Sequence, residues 1–336
     1  MLRILMTGIC VLGLALTGCG GDDGEPGPGP NGGNTGDNNT GDNTGDNAGD
    51  NTGDNTGDNT NNNDNSNTGD NTSTAGRTVA NCETNIADDV PAFYKKYFRC
   101  VTISMDGDSV VIESDGLPPH ASFYYETSHE NYTDFVSQGD GFYQNPNTIE
   151  AQNIRMTIGS NPRVRGLTIN ASLVDGDVGS SQDEYGMGTQ GVALDSVALF
   201  NPLAAPGDDI EDELYSFDLY YGHPQNRGAY HYHTTSMGPL EVLEAAGLIS
   251  STTPGEAGIE MYGMMCDGTL VLGCTELNGD VPDSSDFDSQ NGQVHDIVDE
   301  EGTVHFTNRY HVHICPELFP AHRFTPEIQY YDGCDI

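Results

Sequence analysis

A low-complexity segment from residue 20 to residue 76 is the feature that most restricts what this chain can fold into. It repeats the tetrapeptide Asn-Thr-Gly-Asp, as at 43–46 and 51–54, and it has no aromatic side chain. Such a segment buries too little apolar surface to offset the conformational entropy lost on folding. We therefore expect a disordered linker here and a folded domain over residues 77–336. The regular aspartates also allow calcium binding, but the repeat lacks the spacing and the final Glu of a calcium loop.

Residues 1–19 have the features of an export signal. A short basic start precedes an apolar run from Ile4 to Leu16, which is too short to span a membrane. The sequence Leu16-Thr17-Gly18-Cys19 resembles the lipobox of bacterial lipoproteins, which implies that Cys19 is acylated and attaches the mature chain to a lipid bilayer. The same resemblance implies an outer-membrane or cell-surface location, since Gly20 stands where an aspartate would retain a lipoprotein at the inner membrane. An ordinary signal peptide with a chance cysteine is the alternative.

The charge balance excludes two classes of partner. The chain has 52 acidic residues against 11 lysines and arginines, a formal net charge of −41. Binding to nucleic acid depends on basic surface that displaces counterions from phosphates, so no nucleic acid partner is expected. Docking on anionic lipid through charge is excluded for the same reason. Which protein or small molecule the chain contacts is left open by its composition.

The cysteines favour an oxidising compartment. Cys10 lies in the apolar run of the signal and Cys19 in the lipobox. An even set remains for the folded part: Cys82, Cys100, Cys266, Cys274, Cys315 and Cys334. An even set in an exported chain predicts disulfides, and the chain has no Cys-x-x-Cys pair that would favour a metal. Proximity in sequence suggests the pairs Cys82–Cys100, Cys266–Cys274 and Cys315–Cys334.

Short strand-like runs separated by turn residues predict a mainly β fold. The runs at 101–105 and 109–113 flank Asp106-Gly107-Asp108 and indicate a hairpin. Helical patterns are rare: one covers 239–247, with Pro near its start and Gly at its end, and a second covers 87–98. We expect a single β-rich domain with one or two short helices.

Two parts of this domain repeat the same order of motifs. Phe-Asp-x-x-x-Gly begins at Phe217 and again at Phe287, and each copy is followed by Tyr-His-x-His, at 230–233 and 310–313. Each copy also follows a Gly-led apolar run, which we place at 191–194 and 258–261. The second copy has the longer spacing before its histidines. An internally duplicated unit about a pseudo-two-fold axis is the simplest interpretation.

The same motifs resemble the YHYH domain family, a set of bacterial and some eukaryotic proteins whose biochemical role is poorly defined. The resemblance covers about residues 100 to 336. It is carried by Gly222-His223-Pro224, by Tyr230-His231-Tyr232-His233, by the segment 116–120, by the segment 145–149 and by the segment 191–202. The second copy has Val312 where a tyrosine would complete the motif. The resemblance adds no activity to the prediction.

The duplicated histidines are the candidate metal ligands. Alternate residues of a strand share a face, so His231 and His233 point one way, and His311 and His313 do the same. We expect the two pairs to meet and to bind one transition metal ion, with copper or zinc favoured by imidazole ligands. Tyr230, Tyr232 and Tyr310 would face the opposite way and pack in the core. Near the family-like motifs, His120 and His223 are further candidates as ligands or as supporting residues.

Several functions fit these residues. The chain could bind a transition metal without catalysis, could be a metal-dependent enzyme that uses the same histidines, or could be a structural or adhesive module without metal. A cupin also presents His-x-His on a strand, and Glu317 follows His313 at a suitable spacing, but Glu241 lies too far after His233 and the glycines of the cupin pattern do not fit. No Gly-x-Ser-x-Gly or Walker loop occurs, which argues against a serine hydrolase and a P-loop nucleotide site.

Overall fold

The computed structural model describes residues 76–205, 208–315 and 324–336, and these residues form a mainly β fold with two mixed sheets and three short helices. The predictions of an acylated Cys19 and of a disordered linker before residue 76 lie outside the described residues. Among the residues described, no helix combines the length and the apolar character that a membrane crossing requires.

The three helices are short, and their N-cap residues are Pro91, Asp209 and Ser236. α1 spans Ala92–Tyr97 and begins directly after Pro91, so the predicted helix at 87–98 is shorter than expected. α2 spans Ile210–Glu213 and is capped by the side chain of Asp209, which accepts from the backbone of Glu211. α3 spans Met237–Ala245 and confirms the helix predicted at 239–247, shifted by two residues toward the N-terminus of the chain.

The smaller sheet has four strands in the order β1-β2-β3-β4. They span Asn85–Ile86, Thr102–Asp106, Ser109–Ser114 and Ile154–Gly159. The predicted hairpin is β2–β3, and Gly107 at its turn has a φ of 60°. Apolar residues of this sheet belong to the same core cluster as those of the larger sheet, so one core underlies both.

The larger sheet has eight strands in the order β11-β12-β10-β9-β5-β6-β8-β7. The strands of its first half span Gly191–Ala193 (β5), Ala198–Leu199 (β6), Gly222–Pro224 (β7) and Tyr230–Tyr232 (β8). Those of its second half span Met261–Met265 (β9), Leu270–Leu272 (β10), Gly292–Val298 (β11) and Val304–His313 (β12).

The two halves of this sheet have the same topology, which confirms the internal duplication. In each half an antiparallel pair (β5–β6, β9–β10) is followed by a parallel neighbour (β8, β12) and then by an antiparallel edge strand (β7, β11). The halves join where β5 pairs antiparallel with β9, with Val192 opposite Met264. The added length of the second copy is the hairpin of β11 and β12, which agrees with the longer spacing in the sequence.

The structure corrects one element of the predicted repeat. The apolar run equivalent to β5 is β9 itself, so Gly191 corresponds to Gly263 and not to Gly258. Both glycines lie at the join, where a Cβ on Gly191 would lie 2.6 Å from the carbonyl oxygen of Met264, and one on Gly263 would meet Val192 in the same way. Only glycine permits this close approach of β5 and β9. Gly258 has open space at its Cβ position.

The described residues contain three disulfides, and only one of them has the predicted partners. Cys82 bonds Cys100 as expected, whereas the other two bonds are Cys266–Cys334 and Cys274–Cys315. The predicted pairs Cys266–Cys274 and Cys315–Cys334 are therefore wrong.

The strand pairing explains the difference. Cys266 follows β9 and lies at the turn of the β9–β10 hairpin, whereas Cys274 follows β10 at the hairpin's open end. β10 and β12 run parallel, with Leu272 opposite His313, so Cys274 and Cys315 leave neighbouring strands side by side. Disulfides of this number are typical of extracytoplasmic proteins.

Candidate metal centres

Three histidines of the first half come together at the end of the sheet. His223 on β7 lies directly opposite His231 on the antiparallel strand β8, and His233 follows β8 on the same face as His231. The Nε2 atom of His231 lies 3.1 Å from that of His223 and 3.0 Å from that of His233. We call these three residues the first triad. All three are buried, with exposed fractions between 2% and 6%.

The partners of the Nδ1 atoms fix the tautomer of each ring. The Nδ1–H of His231 donates to the carbonyl oxygen of Ala229 at 3.0 Å, and that of His233 donates to the carbonyl oxygen of Asn201 at 2.5 Å. The Nδ1 atom of His223 lies 2.6 Å from the hydroxyl of Ser216. That hydroxyl donates its proton to the carbonyl oxygen of Glu213, so it accepts from His223.

Each ring of the first triad therefore has its proton on Nδ1 and a lone pair on Nε2. Three lone pairs that face one another at about 3 Å repel unless a cation lies between them. Four ligands at about 2.0–2.1 Å from a tetrahedral zinc ion stand about 3.3–3.4 Å apart, close to the separations seen here. The arrangement is that of a metal site whose second nitrogens are held by backbone and hydroxyl groups.

Burial keeps these rings neutral at physiological pH. It lowers the pKa of His223 to about 3 and that of His233 to about 4, and it lowers the pKa of His231 well below its usual range. The neighbouring histidines lower the pKa of His223 and His231 further. A neutral imidazole is the form that binds a metal, so no proton must be removed before an ion enters.

A carboxylate and an open cleft complete the first centre. Glu213, at the end of α2, has its Oε2 atom 3.5 Å from the Nε2 of His223 and 3.6 Å from that of His233. Burial raises the pKa of Glu213. All three histidines and Glu213 line a cleft of about 740 Å³, which also has Asn145 and Asn147 in its wall. The centre is therefore reachable by a small molecule.

The tyrosines of the motif face the opposite side of the strand, as the sequence predicts. Tyr230 is fully buried and donates to Asp218 at 2.8 Å, and Tyr232 donates to Asp195 at 2.9 Å. His120 belongs to this side: its Nε2 lies 3.0 Å from the hydroxyl of Tyr232. His120 therefore lies on the face opposite the first triad and belongs to neither histidine cluster, whereas His223 is a member of the first triad.

The second half holds a related but different cluster. His311 and His313 on β12 are fully buried, and their Nε2 atoms each lie 3.3 Å from Oε1 of Glu276. Their Nδ1–H groups donate to the carbonyl oxygens of Arg309 and Gly273, at 3.0 and 2.8 Å. Glu276, His311 and His313 form the second triad, whose ligand atoms could also hold a metal ion.

The prediction that all four motif histidines share one ion is wrong. β8 and β12 are separated in the sheet by β6, β5, β9 and β10. Five strand spacings of about 4.8 Å place the two strands about 24 Å apart. The duplicated strands occupy equivalent outer positions of a continuous sheet, so they neither pair with nor face each other. Two centres replace the expected single one.

Sequence reasoning missed the acidic members of both centres. Glu213 and Glu276 are not part of the repeated motifs and come from segments of different length in the two halves. Gln293 was also missed, although it has the same position as His223: Gly222 and Gly292 begin the equivalent strands β7 and β11, and the next residue is His223 or Gln293. Alignment of the two Gly-led strands could have found it.

No family model, curated protein or solved structure matches this chain. The resemblance to the YHYH domain family therefore rests on the sequence motifs alone.

Proposed function

We propose that this protein is a tethered extracytoplasmic lipoprotein with a YHYH-type domain, and that it binds a transition metal ion at the first triad. One observation carries the metal: three buried imidazoles present proton-free Nε2 atoms to one another, and that of His231 lies about 3 Å from each of the other two. In a structural module without metal, at least one of these rings would be turned so that it donates a hydrogen bond to its neighbour. The geometry disfavours that alternative.

Copper or zinc is the proposed ion. Imidazole nitrogens suit both, and copper heads the affinity order of the divalent metals. Glu213 adds a negative charge next to the triad, and the acidic chain attracts cations from solution.

The metal proposal is tested on protein that is exported and then dialysed against a chelator. Copper or zinc is added back, and the bound metal is counted by elemental analysis. The variant His231→Ala with His233→Ala should lose one bound ion per chain. His129→Ala is the matched control, because His129 is exposed and lies outside both triads. If the double variant keeps the full metal content while circular dichroism shows an intact fold, the proposal is wrong.

The anchor is a separate part of the proposal. It is supported by the lipobox-like sequence at Cys19 and by the three disulfides, which are typical of an oxidising compartment. Replacing Cys19 with alanine should move the protein from the membrane fraction to the soluble fraction. Membrane association that survives this change would overturn the lipoprotein assignment without affecting the metal site.

A metal-dependent enzyme is the second candidate, and the cleft favours it. Three protein ligands leave a position for water or substrate, as in catalytic zinc sites. Glu213 beside that position could take a proton from a metal-bound water. Glu213→Gln should then retain the metal but abolish metal-dependent turnover of test substrates such as esters and phosphate esters. Equal turnover by the variant and the parent would exclude this role.

A further inference from the structure

We infer that the second triad binds an ion of its own, with Gln293 as a fourth ligand, and that this ion has a structural role that the first centre does not share. The inference does not depend on metal binding at the first triad, because the residues involved are different and lie in the other half of the sheet.

The amide of Gln293 has more hydrogen-bond acceptors around its nitrogen than it has hydrogens to donate. The amide nitrogen of Gln293 lies 3.2 Å from Nε2 of His311, 3.2 Å from Nε2 of His313 and 2.7 Å from Oε1 of Glu276. An amide nitrogen carries two hydrogens, so it cannot satisfy three acceptors. The amide oxygen of the same side chain is buried and has no hydrogen-bond partner. A buried oxygen without a hydrogen-bond donor is destabilising.

Rotation of the amide by half a turn would remove the surplus of acceptors around the nitrogen if a cation were present. The rotation places the amide oxygen where the nitrogen now lies, beside the two imidazole nitrogens and the carboxylate oxygen. Four electron pairs would then converge from Gln293, His311, His313 and Glu276. The amide position and the carboxylate oxygen lie 2.7 Å apart and are each 3.2 to 3.3 Å from the two imidazole nitrogens, close to the edges of a small tetrahedron around one ion.

The ligand set and the burial distinguish this centre from the first. Two imidazoles and two oxygens suit a zinc-like divalent ion, and a closed set of four protein ligands is typical of structural zinc. His311 and His313 are fully buried, whereas the first triad lines an open cleft. A disulfide also links the two segments that carry the ligands of this centre. Cys274 lies two residues before Glu276 and is bonded to Cys315, two residues after His313.

The test measures how zinc leaves the full-length exported protein. Zinc is the probe, the protein is loaded, excess metal is removed, and the loss to a chelator is followed by a colorimetric indicator. We expect two zinc ions per chain, one lost quickly from the first triad and one lost slowly from the second. His231→Ala with His233→Ala should remove only the fast phase, and His311→Ala should remove only the slow phase.

Two further variants distinguish loss of a zinc ligand from misfolding of the His311→Ala protein. Glu276→Gln keeps the side-chain size and should weaken zinc retention in the slow phase by about tenfold or more. Gln293→His restores the ligand found at the equivalent position of the first triad and should still give a slow phase. His129→Ala again serves as the control and should leave both phases unchanged.

The inference would be overturned if the parent protein bound a single zinc ion and only the variant His231→Ala with His233→Ala lost it. The second cluster would then be a hydrogen-bonded network without metal. A parent protein that shows only a slow phase, which His311→Ala removes, would support the second centre and contradict the proposed function of the first. The two proposals therefore fail separately.

Discussion

Val192 stands opposite Met264 at the centre of the eight-stranded sheet, and the two halves of the sheet are related about this pair. Residues at the same distance from it have matching roles. Asn201 and Gly273 each supply the carbonyl oxygen that holds the second histidine of a motif. The duplication thus extends to the groups that support the ligands, although the ligand sets themselves differ.

The close contact between the edge strand and the motif tyrosine should make Gly222 intolerant of a side chain. A Cβ there would lie 2.6 Å from the ring and hydroxyl of Tyr230, which is fully buried. Gly222→Ala should lower the free energy of unfolding by about 1–3 kcal/mol through overpacking. Urea unfolding measures this. Gly159→Ala on β4 has no atom within 4 Å of the added carbon and should have a much smaller effect.

Removal of the Tyr232 hydroxyl should affect stability but not metal content. The hydroxyl donates to a carboxylate oxygen of Asp195, on the side of the strand away from the first triad. Burial raises the pKa of Asp195 to about 7, and the hydrogen bond from Tyr232 opposes this rise. Tyr232→Phe should cost about 1–3 kcal/mol and leave bound metal nearly unchanged. A loss of metal equal to that of the histidine variants would contradict the placement of the tyrosines.

His120 should make the protein less stable in mild acid. Burial lowers its pKa to about 3, with the Ala121 carbonyl opposing the shift, whereas an unfolded chain protonates histidine near pH 6.5. Between these values the unfolded state binds one more proton than the folded state, so stability falls as pH falls. From pH 7 to pH 5 this single group should cost about 2 kcal/mol.

The variant His120→Gln isolates this effect. It loses the buried ring at every pH, but its free energy of unfolding should fall by about 2 kcal/mol less than that of the parent between pH 7 and pH 5. Urea midpoints at the two pH values provide the comparison, with His129→Gln at an exposed position as the control. The same fall in the parent and in His120→Gln would show that His120 is protonated in the folded protein.

Loss of the Cys274–Cys315 bond should destabilise the fold and loosen the second centre. The bond closes a loop over a sequence separation of 41, and Cys274→Ser with Cys315→Ser should cost about 2–4 kcal/mol. Zinc should also leave the second triad faster in this variant. Peptide mapping without reduction checks the pairing first, and peptides that join Cys266 to Cys274 would contradict it.

The sequence predicted the features that depend on neighbouring residues within a strand and on the internal repeat. The alternation of the motif placed the histidines and tyrosines on opposite faces, and the repeat predicted the two-fold arrangement. It could not show that β8 and β12 lie on opposite sides of the central pair, because strand order is set by long-range pairing. The same limitation produced the wrong partners for Cys266 and Cys315, whose true partners are brought close by the sheet and the C-terminal segment.

The motifs could not predict the carboxylates of Glu213 and Glu276 for a related reason. Glu213 lies on a short helix before its histidines, whereas Glu276 follows a disulfide-bonded cysteine after β10. Both acids lie in the connection that leads to the edge strand, but Glu213 is 14 residues after β6 and Glu276 is four residues after β10, so no repeat marks them in a chain with 52 acidic residues.

The complete burial of His311 and His313 has a consequence for the order of events during biosynthesis. An ion can reach the first triad at any time through its cleft, but the second triad closes as β12 joins β10 and Cys274 bonds Cys315. The ion held there would be the one available in the compartment at the moment the chain folds. Two batches of the same protein made in media of different metal content would then differ for a long time at the second centre and would equilibrate quickly at the first.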